Sequence, residues 1–118
     1  MKKTLNAIAQ AIFDKKGANI IVLDVKGVST LTDYYVIAEG NIDRHVKAIG
    51  NEVVKTLDEI KDPAWHVEGD TVGDWIVIDV GNVIVHLFTP DLREKYGLEQ
   101  LWQDAKIVDV DIVIKKEE

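Results

Sequence analysis

Two runs rich in β-branched residues, 75–80 and 83–88, are separated only by Gly81-Asn82. A two-residue loop that begins with glycine joins antiparallel strands through a tight turn, expected here to be type II′. That loop fixes the register. Val80 opposes Val83, Asp79 opposes Ile84, Ile78 opposes Val85, Val77 opposes His86, Ile76 opposes Leu87, and Trp75 opposes Phe88. Side chains alternate between the two faces of a strand. One face then carries Ile76, Ile78, Val80, Val83, Val85 and Leu87; it is purely aliphatic and belongs to the core. The other carries Trp75, Val77, Asp79, Ile84, His86 and Phe88. Periodicity alone leaves two readings of that face open. A helix covers it and its polar groups find local partners, or its aromatics, ringed by polar groups, meet another protein.

The remaining chain reads as α and β elements around this hairpin. Leu5, Ile8, Ala9, Ile12 and Phe13 mark an amphipathic helix over 4–16, with Gly17 as its stop. The apolar run 19–24 predicts a strand buried on both faces, 25–33 a loop, and 34–38 a second strand. Val46, Ile49, Val53, Leu57 and Ile60 form the stripe of a second helix, expected to be capped by Asn41 or Asp43 and to stop before Pro63. A short third strand over 64–68 precedes the hairpin. A short helical segment follows over 90–96, and 98–102 is a further turn or helix. The order α-β-β-α-β-β-β is α+β-like, and it predicts an α/β domain with a mixed sheet flanked by helices. Residues 1–106 form that single domain. In the tail, 107–118, Val108, Val110, Ile112 and Ile114 alternate with Asp109, Asp111 and Val113; it can add an edge strand, with 115–118 as a solvated end.

Chemistry-bearing residues are sparse. There is no cysteine, so disulfides, thiolate metal sites and a cysteine nucleophile are excluded. His45, His66 and His86 lack metal-pair spacing, and no phosphate-loop or nucleophile-elbow pattern occurs. A turn at Gly40-Asn41 with Arg44 and His45 nearby can be written as an anion cradle, although a strand-to-helix turn explains it as well. Asp24 with Asp79 can be written as a Mg²⁺ pair of a nucleotide-binding enzyme, an alternative that sequence distance leaves open. No cofactor is implied. Twenty-one acidic against 14 basic residues leave a net charge of −7. Such a surface repels a phosphate backbone and favours a basic protein partner, so direct DNA binding is not expected. The start of the chain does not read as a signal peptide and no apolar run reaches membrane-spanning length, which makes the cytoplasm the expected location.

Several segments together resemble the ribosomal silencing factor (Iojap) family. They are Leu23-Asp24-Val25-Lys26-Gly27-Val28-Ser29 with Thr32-Asp33-Tyr34-Tyr35-Val36-Ile37; Gly40 to Val46; His66-Val67-Glu68-Gly69; Asp74-Trp75-Ile76-Val77-Ile78-Asp79 with Gly81-Asn82-Val83-Ile84-Val85-His86; and Leu98-Glu99-Gln100-Leu101-Trp102. Each block alone is weak, but five in the same order over about residues 4–105 are specific. Glu39, Asn41, Asn82 and Gln103 depart from the usual pattern, all at turns or a cap. The resemblance implies a nucleotidyltransferase-like fold without that activity, and homodimers when free. It also implies binding to ribosomal protein number fourteen of the large subunit, which blocks subunit joining and represses translation. In that family a Trp at the position of Trp75 lies on the ribosomal contact surface. The resemblance therefore favours an exposed hairpin face, with Trp75 as anchor, Val77, Asp79, His86 and Phe88 around it, and Glu68, Asp70 and Asp74 for steering.

Overall fold

The computed structural model describes residues 1–114; the expected solvated end at 115–118 lies outside them. The elements are α1 (Lys2–Asp14), β1 (Ala18–Asp24), β2 (Tyr34–Glu39), α2 (Asp43–Glu59), β3 (His66–Glu68), β4 (Trp75–Asp79), β5 (Val83–Phe88), α3 (Pro90–Tyr96), α4 (Leu98–Leu101) and β6 (Lys106–Ile107). They build one mixed sheet in the order β3-β4-β5-β2-β1-β6. Only β2 and β5 run parallel; every other pair is antiparallel.

The hairpin register is the one the two-residue loop dictates, from Trp75 opposite Phe88 to Asp79 opposite Ile84. Val80 N–H donates to the Val83 carbonyl at 2.8 Å to close the turn. Of the two loop residues only Gly81 takes a positive φ, +90°, as a type II′ turn requires. A Cβ there would also lie 2.9 Å from the Trp65 ring, which covers the turn.

The aliphatic hairpin face is core, with all six of its side chains buried. It packs with Val22, Val36 and Ala38 of the neighbouring strands beneath Leu5, Ile8 and Ile12 of α1 and Val46, Ile49, Val53 and Leu57 of α2. The 3.6-residue stripes of both helices thus meet the period-two face of the sheet. A second cluster covers the opposite face, where Leu23, Tyr35, Ile37, Ile84 and Phe88 pack against Leu92, Leu98 and Trp102.

Three local expectations are corrected. The left-handed residue after α1 is Lys16 (φ 63°), not Gly17, whose N–H returns to the Ile12 carbonyl at 2.8 Å. Strand β1 is fully buried only at Val22 and Leu23, because it lies next to the sheet edge and is bulged between Ala18 and Ile21 with Asn19 at φ 51°. Helix α2 has Ile42, not Asn41 or Asp43, at its N-cap; Asp43 sits in the first turn, where its carboxylate accepts the Arg44 N–H at 2.8 Å. His45, from inside the helix, ties down the chain that leads into it. Its Nδ1 accepts the Asn41 N–H at 2.9 Å, and its Nε2–H donates to the Lys15 carbonyl at 2.7 Å. That pairing uses the donor an anion would need, so the Gly40-Asn41 turn is a helix start.

Beyond β6 the tail leaves the sheet and lies along α1. Val108 N–H still donates to the Val22 carbonyl at 2.8 Å. Lys2 Nζ then donates to the Asp109 carbonyl, Asn6 Oδ1 accepts the Asp111 N–H at 3.0 Å, and the Gln10 amide both accepts from and donates to the Val113 backbone. Residues four apart on a helix and two apart on an extended chain each advance about 6 Å, so the two rows stay in step. Val108 and Val110 turn inward onto the core.

Candidate protein-contact site

The open face of the hairpin is an aromatic cluster. Trp75 packs on Phe88 (centroids 5.1 Å), His86 (6.1 Å) and Tyr96 (4.6 Å), and His86 also stacks on Phe88 at 5.9 Å. Trp75 Nε1–H donates to Nδ1 of His86 at 3.2 Å, which places the imidazole proton on Nε2. Phe88 and His86 are buried (1% and 9% exposed), whereas Trp75 is half-buried and Tyr96 exposed. Helices α3 and α4 cause the difference, because they bring Leu92, Leu98 and Trp102 over this face. Expecting the whole face to be open is therefore wrong for Phe88 and His86. They lie beneath Trp75 and support it.

The other expected residues are spread more widely. Val77 is half-buried on the Trp75 face, with Glu68 directly opposite on β3. Glu68 Oε1 lies 2.7 Å from Nε2 of His66, so that histidine is satisfied locally. Asp74 adjoins Trp75, and its carbonyl accepts the Thr89 N–H at 3.0 Å. Asp70 faces a different way, lining a cleft of about 250 Å³ with Lys47, Asn51, Val54 and Ile76 on the α2 side. Asp79 sits at the far end of β4, roughly 13 Å from Trp75 along the strand. Its carboxylate accepts the Gly81 N–H at 2.8 Å and so serves the turn. Strands β5 and β2 lie between Asp79 and Asp24, a separation of about 14 Å across the sheet, so these carboxylates cannot share one Mg²⁺. Among the described residues no group of three or more His, Asp or Glu could hold a metal ion.

Sequence reasoning missed Tyr96, Arg93 and the exposed Trp65. Tyr96 ends a short helix with no fully buried residue, so no apolar periodicity announces which way it points.

Burial lowers the pKa of His86 from 6.5 to about 4. The folded state thus favours the neutral ring, and the unfolded chain binds the extra proton between those values. Stability from this group is complete above pH 6.5 and is lost as pH falls toward 4. The limit is about 3 kcal/mol, since each pKa unit is worth about 1.4 kcal/mol. Urea unfolding from pH 7 to 4 should show wild type losing stability more steeply than His86→Gln. Parallel profiles would mean that His86 is not held neutral.

A model of the family described as ribosomal silencing factor during starvation matches residues 1–118, including the tail that the sequence resemblance left out. A ribosomal silencing factor from Bacillus subtilis is 39% identical over 110 residues, 93% of each chain. A more distant mouse protein, named for mitochondrial assembly of the ribosomal large subunit, is 33% identical over 86% of this chain and 46% of its own length. A crystal structure from Chromobacterium violaceum superposes with a TM-score of 0.83 at 34% identity, covering 86% of this chain and 84% of that one.

Proposed function

Given that this chain belongs to the ribosomal silencing factor family, we propose that it binds ribosomal protein number fourteen on the face of the large subunit that meets the small one. Bound there, it blocks subunit joining and represses translation. It acts by binding, without a catalytic role, in the cytoplasm, and it pairs as a homodimer when free. Neither DNA nor a membrane is a partner; among the described residues no helix is long and apolar enough to cross a membrane.

Trp75 carries this reading. A large ring that packs on three aromatic neighbours yet stays partly exposed, with its N–H already bonded, is held in one orientation before any partner arrives. Such preorganised aromatic anchors dominate protein interfaces. Val77 beside it extends the apolar contact. Glu68, Asp70 and Asp74 add negative charge around this end of the sheet. Together with the net charge of −7 they would speed encounter with a basic ribosomal protein.

Purified protein at micromolar concentration and near-physiological salt should co-sediment with isolated large subunits and not with small ones. Added before the subunits are mixed, it should reduce the fraction that joins. Sedimentation with neither subunit would end this reading.

A further inference from the structure

Helices α3 and α4 contain no fully buried residue, yet they form the cover of one sheet face. Half-buried Leu92 and Leu98 hold them in part. Trp102, next after α4, adds a ring packed on Tyr35 at 5.5 Å, and the polar attachment converges on one side chain. Arg93 is only 11% exposed, and its guanidinium reaches three other elements. Nε–H donates to Glu99 of α4 at 2.7 Å, and Nη1–H donates to Glu39 at the end of β2 at 3.0 Å and to the Asn19 carbonyl in β1 at 2.7 Å. A planar fork suits this multiple attachment in a way a lysine does not.

The sheet register ties this anchor to the contact site. Glu39 pairs with Phe88, and Phe88 pairs with Trp75, so all three lie in one row across the sheet. Three residues beyond Arg93, Tyr96 lies 4.6 Å from the Trp75 ring and is 45% exposed. The sheet supports Trp75 from one direction through Phe88 and His86. From the other direction its support rides on α3. Gly97, in the left-handed conformation at φ 54°, follows at once and breaks the helical path, so α4 does not brace Tyr96 as a continuous helix would.

We infer that Arg93 is a positioning residue, which clamps α3–α4 to the ends of β1 and β2 and thereby sets Tyr96 and Trp75 as one composite aromatic surface for the ribosomal partner. This rests on the contact reading of Trp75 given above. Arg93 itself, turned inward on two carboxylates and a carbonyl, does not meet the partner.

The test is Arg93→Met in the full chain, read by amide exchange, by the Trp75 indole N–H resonance and by large-subunit binding. Amides over 91–101 should exchange at least about tenfold faster while those of α2 and β5 do not change. The Trp75 resonance should shift, and binding should weaken at least about tenfold. Arg93→Lys should restore little of either. An unchanged Trp75 resonance overturns the inference, whether or not binding falls, since a fall would then mark Arg93 as a direct contact. If wild type does not bind the subunit while the resonance still shifts, the clamp stands and the ribosomal reading fails. Should Arg93→Met not fold, Glu39→Gln with Glu99→Gln weakens the same ties and is read by the same shift.

Discussion

Truncating Phe88 to alanine is expected to lower the free energy of unfolding by about 3–5 kcal/mol. The ring is 1% exposed and lies in the sheet row between Glu39 and Trp75, stacked on both Trp75 and His86. Its neighbours across the strands are fixed by backbone hydrogen bonds, so the face cannot collapse to fill the space. Phe88→Leu, which keeps most of the volume, should cost less than half as much. Equilibrium urea unfolding measures both. A loss below about 1 kcal/mol for the alanine variant would mean that α3 and α4 do not seal this face.

The opposite balance is expected one strand away. Trp75→Ala should weaken large-subunit binding at least about thirtyfold, equivalent to about 2 kcal/mol, and cost the fold less than Phe88→Ala does. Trp75 is only partly buried, so part of its surface has no protein neighbour to lose. Its truncation leaves His86 without a donor on Nδ1, a position water can reach once the indole is gone. Co-sedimentation and urea unfolding on the same preparations separate the two effects. If Trp75→Ala unfolds as readily as Phe88→Ala, Trp75 is a core residue and the contact surface lies elsewhere.

These two neighbours also mark where sequence reasoning succeeds and where it stops. A two-residue loop permits one register, so every pair of the β4–β5 hairpin, and the membership of each face, follows from Gly81-Asn82. The aliphatic face needs no further information, since nothing but a core can take it. The mixed face depends on what covers it. That cover consists of two short helices without a fully buried residue, held in part by an ion cluster between residues far apart in sequence. No local pattern encodes Arg93 meeting Glu39. The same holds on a smaller scale at α2. A turn into the helix held by His45 from within it is invisible to a rule that looks for Ser, Thr, Asp or Asn ahead of it. Asn6 and Gln10 likewise read as a solvated helix face, and their use as a seat for the tail appears only in three dimensions.

That seat has a consequence for the order in which the molecule is made. Asn6 and Asp111, joined by a hydrogen bond, are separated by 105 positions. At ribosomal elongation rates that interval is roughly 5–20 s. Through all of it the polar row of α1 is answered by water, and the inward edge of the core that Val108 and Val110 close stays open. A chain cut before residue 108 therefore keeps the residues of its sheet and hairpin but lacks its finished perimeter. For a protein proposed to act on ribosomes, residues 108–113, translated after the whole hairpin, complete the outer wall.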